Sequence, residues 1–140
     1  MPDLNPQQFD YRGSHRPPAP GEDVGAPLHD VEEVMPGFHK NPKLYDFQER
    51  GMSDESIRSI RAARGNPDHQ VPIYRAVPKK EHGIHPGDWV STSRRYAERH
   101  AMQDEDPAHD WPVVEGRAKA RELLTHGDDV NEWGYHPDGG

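Results

Sequence analysis

Cysteine is absent from this chain of 140 residues, which excludes disulfide bonds and any metal site built on thiolates. Long apolar runs are absent too, and no stretch approaches the ~20 residues that a membrane-spanning helix needs. Only 31% of the residues are hydrophobic, while Gly and Pro number 13 and 15, so the core must be small and much of the chain must be loop. These limits favour one modest domain.

Positive charge is scarce as well. With 25 acidic residues against 17 basic ones and a formal charge of -8, the chain does not offer a broad nucleic-acid-binding face. Two arginine clusters leave room for a small basic groove, although solvated helix faces are the commoner reason for such spacing. The clusters are Arg58, Arg61 and Arg64, and Arg94, Arg95 and Arg99.

Targeting and metal signals are equally sparse. The first ten residues show neither the basic start nor the apolar stretch of a signal peptide, so we expect a cytoplasmic protein with no membrane partner. Ten histidines invite a metal site, but none has acidic partners at the helical spacings that zinc enzymes use. We therefore expect no bound metal.

The chain divides by composition at about residue 30. Residues 1–30 are rich in Pro, Gly and charge, which predicts an extended, polyproline-like arm, and residues 31–140 hold the apolar positions of one domain. A short helical turn before Pro36 opens this domain. The remaining patterns predict helices over 53–64 and 94–102, strands over 71–77, 88–92, 112–120 and 130–135, and a turn over 125–129.

The strand over 71–77 carries an arginine among apolar residues. Alternation puts Ile73, Arg75 and Val77 on one face, and a guanidinium there needs an anion or an acceptor. Alternation along the next strand puts Trp89, Ser91 and Ser93 on one face and Val90 and Thr92 on the other. Ser93 is also placed to cap the helix that follows.

Arg75, the run Ser91, Thr92 and Ser93, and the late Glu132 together resemble the sequence pattern of ADP-ribosyltransferases of the arginine-serine-glutamate type. The resemblance covers residues 71–135 and implies an α+β fold with a split antiparallel sheet, flanking short helices and NAD bound as substrate in the cleft. It implies that Glu132 and Arg75 are the catalytic residues.

The same resemblance assigns roles to the other residues. Arg75, Ser91, Thr92 and Ser93 would hold NAD, and Tyr96 would stack on nicotinamide. His15 and His29, on two islands of the arm, are further candidates for NAD contacts. Glu132 would stabilise the positive charge that develops when the nicotinamide–ribose bond breaks.

Small proteins and C-terminal domains from bacteriophage genomes, some attached to head-morphogenesis proteins, resemble the chain more closely still. The shared stretches are YRGSH (11–15), PLHD (27–30), IYRAVP (73–78), PGDWVSTSRRYA (86–97) and NEWGY (131–135). This resemblance implies a phage or prophage origin and an accessory role against the host, but it does not supply a substrate. We expect the transferase to modify a host protein or nucleic acid. Two alternatives stay open: an inactive module that binds or inhibits a host defence protein, and a phage structural protein.

The sequence departs from the family pattern at one position. Transferases that modify arginine carry a second Glu two residues before the catalytic one, and others carry Gln there, whereas this chain has Val130. The departure favours a different acceptor or the hydrolysis of NAD.

Overall fold

The computed structural model describes residues 25–78, 83–102, 104–127 and 129–137. Within these ranges the chain is α+β, as the sequence pattern predicts. The α-helices are Asp54–Ala62 (α1) and Arg94–Ala101 (α2), and 3-10 helices span Leu28–Glu33, Pro42–Tyr45, Pro107–His109 and Ala120–Glu122. The strands are Ala26–Pro27 (β1), Gln70–Ala76 (β2), Trp89–Ser91 (β3), Val113–Lys119 (β4), Leu123–Thr125 (β5) and Glu132–Tyr135 (β6).

The strands form one antiparallel sheet of six strands in the order β1-β5-β6-β3-β2-β4. Pairing is most extensive between β2 and β4, which align residue by residue from Gln70 to Ala76. It is thinnest between β2 and β3, where Tyr74 opposite Ser91 is the registered pair. The described strands are thus continuous through the expected split, and the sheet narrows at the β2–β3 junction.

One face of the sheet carries the core. Val90 and Trp133 are paired across β3 and β6, and directly paired residues point to the same side. Both are buried, as is Ile73 of β2, and Ile57 and Ile60 of α1 belong to the same apolar cluster. Helix α1 therefore covers this face, as its narrow apolar stripe predicts.

Helix α2 covers part of the other face. The Arg94 guanidinium lies 4.9 Å from the centre of the Tyr74 ring and also pairs with Glu115, the residue opposite Tyr74 on β4. Tyr74 and Ser91 are consequently buried although they point away from the main core. The central strands β2, β3 and β6 therefore carry one set of polar side chains on the core face and another set on the face covered by α2.

Several expectations need correction. Residues 26–30, assigned to the arm, belong to the folded body, because β1 pairs with β5 and Leu28 is buried in the core. Thr125 was expected to open the turn over 125–129, but it is the last residue of β5. Trp89 of β3 and Tyr135 of β6 are aromatic residues of the central strands, and both are half-buried.

The remaining part of the arm, including His15, lies outside the described residues. No helix in the described ranges combines the length and the apolar character that crossing a bilayer requires.

Candidate active site

The sheet register brings two of the expected residues side by side. Ser91 at the end of β3 is directly opposite Glu132 at the start of β6, and on its other side it is opposite Tyr74 of β2. Because paired residues share a face, these three side chains lie on the face covered by α2. Ser91 is buried and Glu132 is half-buried, so the carboxylate keeps access to solvent.

The hydroxyl groups of Ser91 and Ser93 fix the passage from β3 into α2. The Ser91 hydroxyl donates to the Ser93 carbonyl at 3.0 Å and accepts from the Ser93 amide at 2.9 Å. The Ser93 hydroxyl donates to the Met52 carbonyl at 2.7 Å and accepts from the Tyr96 amide at 3.2 Å, which confirms Ser93 as the cap. These bonds determine where Tyr96 points.

Tyr96 points at Glu132. Its hydroxyl donates to Glu132 Oε2 in a short hydrogen bond and lies 3.4 Å from Asp129 Oδ2. The side chain is only 7% exposed, and the His100 ring lies against it with the ring centres 4.4 Å apart. In this arrangement Tyr96 orients the carboxylate, while His100 occupies a face of the ring on which nicotinamide was expected to stack.

Asp129 is the third member of this cluster, which we call the carboxylate–phenol cluster (Tyr96, Asp129 and Glu132). Asp129 Oδ1 accepts from the Asn131 amide at 2.8 Å, and Oδ2 accepts from Gln48 Nε2 at 3.1 Å. Burial raises the pKa of Asp129, and the Glu132 charge raises it further against the opposing hydrogen bonds. The sequence did not single out Asp129 as a site residue. It lies in the predicted turn over 125–129, where an acidic residue is common and does not by itself indicate a site.

Thr92 points to the opposite face, as alternation predicts. Its hydroxyl donates to Ser56 Oγ of α1 at 2.6 Å and accepts from Trp133 Nε1 at 3.1 Å. Asn131 completes this group by accepting from Ser56 at 2.6 Å and donating to Ser53 Oγ at 2.9 Å. We call these five side chains the hydroxyl–amide network. Its members are Ser53, Ser56, Thr92, Asn131 and Trp133.

Ser53 uses its hydroxyl for this network and not for the end of α1. It occupies the cap position of α1, but its side chain makes no capping hydrogen bond. Its hydroxyl serves the Asn131 amide instead. Thr92 likewise supports the site from behind the sheet and does not line the face that carries Glu132.

Arg75 lies on the core side of β2. It alternates with Tyr74, so it points away from the face shared by Ser91 and Glu132. The side chain is 8% exposed, and its Nε is 3.5 Å from Asp88 Oδ2, which supplies the anion that a guanidinium among apolar residues needs. The structure thus brings Tyr96, Ser91 and Glu132 together and places Arg75 on the neighbouring strand facing the other way.

His29 lies far from the cluster along α1. Its carbonyl accepts from the Gly65 amide at 3.0 Å, just past the C-terminal end of α1, whereas Ser53 and Ser56 mark the N-terminal end. The nine residues of α1 span about 13 Å. His29 is therefore at the wrong end of this helix to join Glu132. Among the described residues, no group of three His, Asp or Glu side chains is arranged to hold a metal ion.

Comparison of the chain with protein-family models, with curated proteins and with solved structures finds no match. Its class is therefore defined by its own geometry. Its described part is an α+β structure with an antiparallel six-stranded sheet, which carries two carboxylates around one phenol on one face and a neutral network behind it.

Proposed function

We propose that this protein is a mono-ADP-ribosyltransferase that transfers ADP-ribose from NAD to a macromolecule, with Glu132 as its catalytic carboxylate. The observation that carries the proposal is the hydrogen bond from Tyr96 to Glu132, formed 36 residues apart between two side chains that the family pattern singles out independently. Ser91 adds support, because the same pattern names it and the register sets it opposite Glu132.

The chemistry needs a fixed anion beside a ribose. When the bond between ribose and nicotinamide breaks, nicotinamide leaves with the bonding electron pair and the ribose develops oxocarbenium-like positive charge. A carboxylate held in place before the reaction stabilises that charge without reorganising. Glu132 meets this need, since Tyr96 orients it and its half-buried position leaves one side open.

The biological setting follows from the sequence resemblance alone. We propose a phage accessory protein acting in the cytoplasm of a host cell, with a host protein or nucleic acid as the acceptor. Val130, in place of the second Glu of arginine-modifying transferases, favours an acceptor other than arginine.

The experiment measures nicotinamide release from NAD and incorporation of labelled ADP-ribose into host lysate. We expect Glu132→Gln to reduce both by roughly 10²- to 10³-fold while the protein stays folded. Glu115→Gln is the matched control, because Glu115 is a carboxylate on the same sheet face whose partner is Arg94. Equal activity of wild type and Glu132→Gln would contradict the proposal.

The placement of Arg75 favours a second candidate, a module that binds a host protein without turning over NAD. In the structure Asp88 engages the Arg75 guanidinium on the face opposite Glu132, which suits a structural ion pair better than a phosphate contact. Calorimetry with NAD separates the candidates. Under the transferase proposal wild type binds NAD, whereas absence of NAD binding together with a stable host-protein complex favours the module.

A further inference from the structure

The carboxylate–phenol cluster contains fewer protons than its hydrogen bonds require. The Tyr96 hydroxyl has one proton, yet its oxygen is within reach of both Glu132 Oε2 and Asp129 Oδ2. A phenol that donates to Glu132 can only accept from Asp129, and an ionised Asp129 has no proton to give. The cluster therefore either holds one further proton or sets two negative charges around one hydroxyl.

The groups that hydrogen-bond to the Asp129 carboxylate are neutral. They are the Asn131 backbone amide, the Gln48 side-chain amide and the Asn131 side chain. Among the described residues, the charged or titratable groups facing the cluster include Glu132 on its own segment and His100 on α2. Arg99 of α2 pairs with Glu49 at the surface. Burial and the neighbouring carboxylate thus both raise the pKa of Asp129, which makes the ionised form a stronger proton acceptor than an ordinary aspartate.

We propose that Tyr96 connects Glu132 to Asp129 as a proton relay, with Asp129 as the terminal base. When the attacking group of an acceptor loses its proton to Glu132, Glu132 donates that proton to the Tyr96 oxygen. The Tyr96 hydroxyl releases its own proton to Asp129 Oδ2. One O–H bond breaks and one forms at each step, the phenol ends neutral, and Glu132 regains the negative charge that faces the ribose.

The relay rests on the proposed transferase function for its use and on the cluster geometry for its existence. It implies an acceptor whose nucleophile carries a removable proton, such as a hydroxyl, an amide or water. It also implies that transfer requires an ionised Asp129, so the rate falls as pH falls through the pKa of Asp129. In this scheme Glu132 touches the substrate, and Tyr96 and Asp129 act through it.

The ionisation test uses the full chain and needs no substrate. Carbon NMR titration of the side-chain carboxyls should show Asp129 titrating above the ordinary aspartate range, and the Glu132 carboxyl signal should respond to that same step. Tyr96→Phe should abolish this coupling, because the ring stays and the hydroxyl goes. Tyr45→Phe is the control, since that hydroxyl donates to the Pro36 carbonyl elsewhere. Independent titration of the two carboxyls in wild type would overturn the relay.

The activity test uses Asp129→Asn, for which the chain offers a close control. Asp106 makes the same contact to the amide two residues on, at 2.9 Å, and is exposed, so Asp106→Asn should keep wild-type activity. We expect Asp129→Asn and Tyr96→Phe to lower transfer on the order of 10²-fold and to flatten the acid limb of the pH profile, with KM for NAD unchanged.

An unchanged pH profile in Asp129→Asn would overturn the relay. Failure of the transferase proposal has a different signature, namely a wild-type protein without NAD turnover. The NMR titration then still decides whether Asp129 and Glu132 share a proton through Tyr96.

Discussion

Asn131 and Glu132 are neighbours in the chain, yet they belong to clusters of opposite character. Asn131 is fully buried in the hydroxyl–amide network, where its amide both donates and accepts, and every member is neutral. Glu132 is half-buried in the carboxylate–phenol cluster, where two carboxylates compete for one hydroxyl. At the start of β6 the chain directs the Asn131 side chain to the core face of the sheet. It directs the next side chain, Glu132, to the face covered by α2.

The difference separates stability from chemistry. A buried neutral network whose hydrogen bonds are satisfied rigidifies the fold, and removing one member leaves its partners stranded. A cluster of like charges costs stability, and such perturbed groups concentrate at functional sites. We therefore expect damage to the network to lower the free energy of unfolding, and damage to the cluster to lower activity while leaving the fold intact.

The largest stability effect should come from Asn131→Ala. It strands the hydroxyls of Ser53 and Ser56, each of which loses a buried partner, so we expect a loss of about 2–4 kcal/mol in the free energy of unfolding. Urea denaturation measures it. Asn66→Ala is the control, because Asn66 is exposed and its side-chain oxygen accepts from the nearby Asp68 amide. Similar losses of unfolding free energy in both variants would show that the hydroxyl–amide network stabilises the fold no more than an exposed side chain does.

Gly127→Ala tests the turn that leads to both clusters. Gly127 has φ +93°, and a Cβ there would lie 2.7 Å from the Val34 carbonyl oxygen, so we expect about 1–3 kcal/mol of destabilisation. Gly37→Ala is matched in backbone, with φ +79° and open space around its Cβ. The difference between their thermal midpoints isolates the clash, and equal midpoints would show that the turn shifts freely.

Asp129→Asn should have a smaller, pH-dependent effect on stability. The raised pKa of Asp129 means that its contribution to stability is fully present below its unfolded pKa and is lost as pH rises through the folded one. Asn does not ionise, so we expect the variant to gain stability over wild type at neutral pH and to lose that gain in acid. Urea denaturation at neutral and at acidic pH measures the effect. An equal gain of unfolding free energy at the two pH values would contradict a raised pKa of Asp129.

The smallest effect concerns Tyr74, a phenol that shares the sheet face of Glu132 but has one carboxylate partner. Its hydroxyl donates to Glu55 Oε2 at 2.5 Å, and burial together with that bond raises the pKa of Tyr74 from 10.0 to about 12. Its contribution to stability is therefore present below pH 10.0 and is lost as pH rises toward about 12.

Ultraviolet titration of the phenols should show a step near pH 12 that Tyr74→Phe removes and Tyr45→Phe retains. Retention of the step in Tyr74→Phe would mean that another phenol is the perturbed one. Such a result would weaken the contrast between Tyr74, with one acceptor, and Tyr96, with two.

Local features of the site were readable from the sequence. The Ser93 cap and the direction of α2 follow from a few adjacent residues, and alternation alone separates Thr92 from Ser91. Asp129 was not readable, because its approach to Tyr96 spans 33 residues and depends on the turn after β5. Contacts of that range arise from tertiary packing, which a pattern of neighbours does not contain.

The fold shows the same division. The seven residues of β2 carry a period that predicts a strand, whereas β1 and β5 have two and three residues and exist only because they pair with each other and with β6. The side of the sheet on which Arg75 lies relative to Glu132 depends on register. A shift of one residue exchanges the two faces, so the sequence could not fix that relation.

The most direct test compares nicotinamide release from NAD by Glu132→Gln and Asn131→Ala, each expressed per folded molecule at a temperature where both are folded. The account predicts that Glu132→Gln loses release by on the order of 10²-fold or more while Asn131→Ala keeps a rate near wild type. Equal losses in the two variants, or full activity in Glu132→Gln, would contradict the division of this segment into a structural side and a chemical side.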